Sequence, residues 1–349
     1  MVKRARNRRW QELEKNNTSL DRLVRHFEAY NRSEGRSPRT VEWYSRVLGY
    51  FQKYLGQDGY SPRLGDLRLQ VVREFVVHLQ TRERWHGHPD MRRSKHGHLS
   101  STSVNNYVRG LRAFFSWLHR EGYTDENILA SLKLPKTPVA LVDILTEDEV
   151  ARILNCLDAD TASGCRDTAM VVTFLDCGLR LSELANLKVA DAHVEDGYLK
   201  VMGKGGKERI VPIGNVAQKA LQRYIYHFRP QLLRDDNVFL TLDGQPLSSN
   251  AVKLIIARLA RKSGVKRLHA HLFRHTFATN YLINGGDVFS LQQILGHTTL
   301  EMVRRYVTLA SAHVRVQHRR FSPMDRMNAG RIKGFRRKPK RGNGRRGAS

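Results

Sequence analysis

Two prolines three residues apart divide this chain and limit what each half can become. Pro135 and Pro138 stand in Leu132-Lys133-Leu134-Pro135-Lys136-Thr137-Pro138. A proline lacks the backbone donor and pushes its predecessor out of the helical region. Neither a helix nor a central strand can run through the pair, so the segment reads as an extended linker. The next signal is Thr146-Glu147-Asp148-Glu149, a capping box in which Thr146 and Glu149 satisfy each other's backbone N–H groups. A chain of 349 residues suits about two domains. The boundary is expected between Pro135 and Leu145: a helical domain over 18–134, a linker over 135–145 and a second domain over 146–315. A basic extension, 1–17, and a basic tail, 316–349, flank them.

Upstream of the linker the apolar stripes have helical spacing. Leu20, Leu23, Val24, Phe27 and Tyr30 share one face of a helix capped by Asn17 or Thr18 and ended by Gly35. Pro38 opens the next helix, with Val41, Tyr44, Val47, Leu48, Phe51 and Leu55 inward. A third spans 68–81. A fourth spans 101–121, capped by Ser100 or Ser101, with Val104, Val108, Leu111, Phe115 and Leu118 inward. Its other face carries Asn105, Asn106, Arg109 and Arg112, either a solvated surface or one that meets a polyanion. A short helix over 126–132 completes the domain. The polar stretch 82–98 reads as an exposed connection. Its His86, His88, His96 and His98 lack the thiolate or paired carboxylates that a metal site would add.

Sixty Lys and Arg against 33 Asp and Glu leave a formal net charge of +27. That excess goes beyond what solubility requires and points to nucleic acid before an anionic membrane. No window approaches about eighteen consecutive apolar residues, and no apolar core of a signal peptide follows the basic start. Cys156, Cys165 and Cys177 fit no zinc spacing and read as reduced core residues of a cytoplasmic protein.

The second half carries the chemistry. A largely apolar helix over 164–177 stops at Gly178, and Arg180 follows at the turn. An arginine there is costly unless it meets an anion or pairs with Glu183. Both readings stand together if Glu183 orients Arg180. The period then changes from helical to alternating. Strands over 197–202 and 209–213 are joined by the turn Gly203-Lys204-Gly205-Gly206-Lys207. No helix follows, so this is not a P-loop. Its lysines are either solvated or reach into a nucleic-acid groove. A helix over 216–228, a short strand over 238–240 and a helix over 249–262 come next.

In His271-Leu272-Phe273-Arg274-His275, the two histidines and Arg274 share one face near a helix start. Free backbone N–H groups there favour anions. The last folded stretch, Leu291 to Tyr306, reads as two short helices. Gly296 caps the end of the first, Thr298 or Thr299 the start of the second, and His297 sits between. Arg180 and Arg274 can hold the non-bridging oxygens of one phosphate. A tyrosine needs an adjacent base to attack phosphorus, and His271 can supply it. A departing 5′-oxygen needs a proton, which Lys204 can deliver. Neither a metal nor a cofactor is expected.

These boxes resemble those of the tyrosine recombinases of the phage-integrase family. Cys177-Gly178-Leu179-Arg180-Leu181-Ser182-Glu183-Leu184 is similar to its first-arginine box, and Gly203-Lys204-Gly205-Gly206-Lys207-Glu208-Arg209 to its lysine hairpin. His271-Leu272-Phe273-Arg274-His275 resembles its His-x-x-Arg-His box, and Leu295-Gly296-His297 with Tyr306 its closing box. Four boxes in order make a specific signal. The resemblance implies a mainly α fold with a small antiparallel β-sheet: a helical, SAM-like core-binding domain and a mixed α+β catalytic domain.

It implies six catalytic residues, Arg180, Lys204, His271, Arg274, His297 and the nucleophile Tyr306, supported by Glu183 and His275. Lys207 is the rival to Lys204. Tyr306 would form a 3′-phosphotyrosine link at a double-stranded DNA recombination site. A homotetramer would exchange strands between two duplexes through a Holliday junction, with accessory DNA-bending or directionality proteins as further partners. Integration and excision of mobile DNA is the expected role, in the cytoplasm at the nucleoid. A Xer-like resolvase of chromosome dimers and a non-catalytic sequence-specific DNA-binding protein are the alternatives. A further helix over 312–320 and a tail of Lys, Arg and Gly from Arg331 onward, without acids, close the chain. The tail reads as a disordered grip on DNA phosphates.

Overall fold

Serine side chains start the helices of the N-terminal half. In a computed structural model of the chain, Ser19, Ser37 and Ser100 accept the backbone N–H of Arg22, Thr40 and Ser103. They open α1 (Leu20–Ser33), α2 (Pro38–Gln57) and α4 (Ser101–Arg120). Ser19 therefore takes the capping place expected of Asn17 or Thr18. Between α2 and α4 lies α3 (Leu69–Thr81).

The structure describes residues 17–82, 98–134, 143–203, 206–230 and 236–309, with 318, 322 and 323. Nearly all of the N-terminal extension, most of the connection and of the linker, Lys204, and nearly all of the basic tail and of the helix expected over 312–320 lie outside these residues. The chain divides into two compact units, Met1–Val139 and Ala140–Ser349.

The expected stripes meet inside the first unit. Leu23, Phe27, Leu48, Phe51, Phe75, Val108, Leu111, Phe114 and Leu118 are all buried. Phe27 meets Phe114 edge-on at 5.4 Å, and Phe51 meets Phe75 at 5.0 Å. Such pairs add about 0.5–1.5 kcal/mol each beyond the area they bury. The helix expected over 126–132 is instead a run of turns, with Ala130 N–H on the Asn127 carbonyl and Leu132 N–H on that of Leu129. So short a segment does not recover the cost of helix nucleation. Asn105, expected on the outward face of α4, is buried. It stands one turn before Val108, on the flank of a stripe wide enough to include it. Asn106 and Arg109 are exposed and Arg112 is half-buried.

The second unit is built around α6 (Ala162–Cys177), which buries Ala169, Met170, Phe174 and Cys177. The Phe174 ring stacks on Phe273 at 5.6 Å. Ahead of it, α5 (Glu147–Asn155) opens with the expected capping box of Thr146 and Glu149. After it come the single turn α7 (Leu181–Ala185) and a three-stranded antiparallel sheet of β1 (Ala192–His193), β2 (Tyr198–Met202) and β3 (Glu208–Pro212). The pairings Leu199↔Val211 and Val201↔Arg209 set its register, and Leu199, Val201 and Val211 face the core. β1 is too short to show a period in the sequence.

The helix expected over 216–228 divides into α8 (Asn215–Arg223) and a π-helical turn, Tyr224–Phe228. The turn buries Tyr224, whose hydroxyl accepts the Leu240 N–H. The strand expected over 238–240 is reduced to isolated bridges, Lys188↔Asn237 and Leu240↔Pro246. Four helices follow: α9 (Ser249–Lys262), α10 (Ala270–Ile283), α11 (Val288–Leu295) and α12 (Glu301–Leu309). Among the described residues no helix is long and apolar enough to cross a membrane.

Candidate active site

The C-terminus of α11 gathers three arginines, and the reason lies in how that helix ends. Gly296 adopts φ 62°, ψ 47°, the left-handed conformation that glycine enters without a Cβ penalty. Its N–H bonds the Gln293 carbonyl, and the His297 N–H bonds that of Gln292. This is a Schellman closure, and it leaves the next three carbonyls without helical partners. Arg209 Nε donates to the Ile294 carbonyl at 2.7 Å, Arg274 Nη2 to Leu295 at 2.7 Å and Arg180 Nη2 to Gly296 at 3.1 Å. Cations at the negative end of the helix dipole add to the attraction.

Arg180 is held from its other side by Glu183. The carboxylate accepts Arg180 Nη1 at 2.6 Å and the Arg180 backbone N–H at 2.8 Å. It also accepts both Nη groups of Arg209, at 2.9 and 2.8 Å. Burial alone would push this carboxyl up, but the hydrogen bonds from Arg209 and Arg180 outweigh it and hold it at about 2. Glu183 is therefore a fixed negative charge, and the sequence reading in which it orients Arg180 describes the geometry. The Arg180 side chain keeps 27% of its surface exposed.

Arg274 lies deeper. Its Nη1 donates to the Gly178 carbonyl at 2.6 Å, where Gly178 ends α6 at φ 58°. A Cβ on Gly178 would stand 2.4 Å from Phe277, so only glycine lets α6, α10 and α11 approach this closely. Burial, then the Arg180 charge, pull the Arg274 guanidinium down to about 10, still a cation at neutral pH. Arg274 Nη2 also meets His297 Nε2 at 2.9 Å. Arginine can only donate, so that nitrogen accepts and a neutral His297 carries its proton on Nδ1.

Tyr306 stands on α12, which packs on α10 and α11. Its side chain is fully buried, and its hydroxyl lies 2.8 Å from His275 Nδ1. The sequence reading put His271 in this place. His271 instead lies exposed in the first turn of α10, its ring stacked on His275 at 6.3 Å. The start of α12 also differs from expectation. Leu300 precedes its first residue and accepts the Arg304 N–H, so Thr298 and Thr299 lie ahead of the capping position.

Arg180, Glu183, Arg274 and His297 thus come together, and His275 links to Tyr306. Lys204 lies outside the described residues, and Lys207 is exposed. Asn105, Asn106, Arg109 and Arg112 belong to the other unit. Arg209 was missed as a site residue. Its signal was its alternation with Val211, which puts an arginine on the core face of a strand.

Residues 143–313 match the phage integrase family, and residues 23–122 match the phage integrase N-terminal SAM-like domain. Tyrosine recombinase XerD of Listeria innocua is 32% identical over 295 residues, covering 83% of this chain and 94% of the relative. Tyrosine recombinase XerC of Oceanobacillus iheyensis is 32% identical over 293 residues, covering 82% and 91%. In fold, the chain is similar to the Tn1549 transposon integrase in complex with transposon right end DNA, with a TM-score of 0.64 at 20% identity, covering 83% of this chain and 94% of that one. It is also similar to a lambda integrase tetramer bound to a Holliday junction, with a TM-score of 0.61 at 20% identity, covering 81% and 79%. At 32% identity to XerD over 295 aligned residues that span nearly that protein's whole length, the chain belongs to the tyrosine recombinase, or phage integrase, family.

Proposed function

We propose that this chain cuts and rejoins double-stranded DNA at specific sites through a 3′-phosphotyrosine link to Tyr306. The observation that supports this most is a tyrosine hydroxyl 2.8 Å from an imidazole, on a helix packed against the one whose end gathers Arg180 and Arg274. In the attack the phenolic oxygen bonds phosphorus, the bond to the 5′-oxygen breaks, and the phenolic proton passes to His275. Arg180, Arg274 and His297 meet the non-bridging oxygens, where negative charge accumulates. Fixed donors of this kind contribute about 3–4 kcal/mol each to the transition state. Lys204 protonates the departing 5′-oxygen. His271 is exposed in the first turn of α10, where helix N–H groups favour an anion such as a backbone phosphate.

A 5′-hydroxyl from the partner duplex then attacks the link and releases Tyr306. The phosphotyrosine conserves the bond energy, so no nucleotide is consumed. Two duplexes and four protomers take part through a Holliday junction, helped by accessory DNA-bending or directionality proteins, in the cytoplasm at the nucleoid. Tyr306 has no exposed surface, so α12 or whatever covers it shifts before a phosphate reaches the hydroxyl.

Integration and excision of mobile DNA is the role favoured by the polar insertion at 82–98 and the basic tail, which has no acid from Arg331 onward. Resolution of chromosome dimers is the second reading, favoured by the near end-to-end match to XerD and XerC. The test is covalent capture on a library of duplexes with a randomised core and nicks at staggered positions. The wild type should form adducts that survive denaturing detergent, and Tyr306→Phe should bind DNA without forming them. Adducts from the phenylalanine variant would overturn the assignment. A captured site at the border of a mobile element supports the first role, and a single chromosomal site the second.

A further inference from the structure

The strand leaving the glycine hairpin carries a charged residue to which the steps above give no role. Arg209 stands opposite Val201 on the face of the sheet that buries Leu199, Val201 and Val211. Its side chain is 12% exposed. A desolvated guanidinium costs several kcal/mol unless its donors are met. Each of its three nitrogens has an acceptor: Nη1 and Nη2 take the two oxygens of Glu183, and Nε takes the Ile294 carbonyl. The planar fork suits a carboxylate in a way a lysine ammonium does not. The fit at the closing turn is close, since a Cβ on Gly296 would stand 3.0 Å from Arg209 Cδ.

The consequence falls on Arg180. Glu183 is buried and accepts from both arginines. With Arg209 on both oxygens, the carboxylate engages the Arg180 guanidinium through Nη1, and Nη2 turns to the Gly296 carbonyl. Without Arg209, Arg180 would be the only side chain among the described residues left hydrogen-bonded to this buried carboxylate. Its fork would turn inward to cover both oxygens and away from a phosphate. The Ile294 carbonyl would also lose its partner, loosening the turn that places His297.

We propose that Arg209 is a positioning residue for strand cleavage, holding Glu183 and the end of α11 so that Arg180 faces the scissile phosphate. This rests on the recombinase reading above. Arg209 acts in this role through Glu183 and the end of α11, since its side chain is nearly buried and each of its three nitrogens already donates to one of them.

The test uses the full chain and the duplex most enriched by covalent capture, in single turnover with protein in excess. Arg209→Met keeps the length of the side chain and removes charge and fork. Arg209→Lys keeps the charge and removes the fork. Arg209→Met should slow adduct formation about 100-fold, the loss that a misplacement near 1 Å produces, with DNA affinity unchanged. The same duplex with a methylphosphonate at the scissile position has one non-bridging oxygen replaced by methyl, is neutral there and asks less of Arg180. There the defect should shrink to about 10-fold or less, as coupled sites require. Equal defects on both substrates, or wild-type rates on the phosphodiester, would overturn the proposal. If Arg209→Met fails to fold, Arg209→Lys takes the same comparison with the same criteria. A wild type that forms no adduct on any duplex overturns the recombinase reading and this proposal with it. A wild type that forms one, beside unaffected Arg209 variants, overturns this proposal alone.

Discussion

Replacing the Glu183 carboxylate by an amide of the same shape probes the charge balance on which the site is built. Burial pushes the Glu183 carboxyl up, yet hydrogen bonds from Arg209 and Arg180 bring it from the ordinary 4.5 to about 2. At about 1.36 kcal/mol per pKa unit, that shift is worth about 3 kcal/mol to the folded state at neutral pH. A second route gives a similar figure: removing one member of a buried ion pair costs about 3–5 kcal/mol. Glu183→Gln leaves Arg180 and Arg209 side by side, with Arg274 close to both, and without their counter-charge.

In a unit of this size each kcal/mol moves the midpoint by about 2–4 °C, so Glu183→Gln should melt about 6–12 °C below the wild type at pH 7. The folded pKa is lowered, so the stabilisation is complete above the ordinary value and is lost as pH falls through the folded one. Less than half of it remains at about pH 3. The gap between wild type and variant should therefore narrow on acidification. Thermal unfolding followed by circular dichroism at both pH values reads this directly. Coincident midpoints at pH 7, or a gap that stays constant between them, would refute the reasoning.

Gly296→Ala puts a Cβ at φ 62° and 3.0 Å from Arg209. It should cost about 1 kcal/mol in denaturant unfolding from backbone conformation alone and slow covalent capture by more than that loss accounts for. His275→Gln should slow capture by about 100-fold, within the usual range for a general base. The defect should shrink when Tyr306 is replaced by a more acidic fluorinated tyrosine, and an unchanged defect would remove His275 from proton transfer. Truncation before Arg331 should make DNA affinity less steeply dependent on salt, because fewer counterions are released. Titration of binding against salt checks it, and an unchanged slope and affinity would leave the tail without a grip on DNA.

The residues legible in the sequence were those whose signal is local. Stripes such as Leu23, Phe27 and Tyr30 predict helices because side-chain spacing alone decides which face is buried. Gly178 and Gly296 mark helix ends because few other residues enter positive φ. Thr146 and Glu149 cap each other within one turn. What stayed hidden depends on contacts far apart in sequence. Whether His271 or His275 meets Tyr306 is set by the rotation of α10 against α12, which a shared helix face does not specify. Arg209 looked like part of a hairpin until the register placed it over Glu183, 26 positions earlier. The strand expected over 238–240 had the right residues but lacked a long partner, and only the tertiary fold reveals which strands find one.

The central claim is that Tyr306 becomes covalently joined to DNA. Adducts captured on the nicked duplex library can be digested with protease and nuclease and the linked peptide sequenced by mass spectrometry. The account predicts a single nucleotide remnant, attached through a 3′-phosphate to Tyr306. A remnant on another residue, a 5′ linkage, or the absence of any adduct would contradict it.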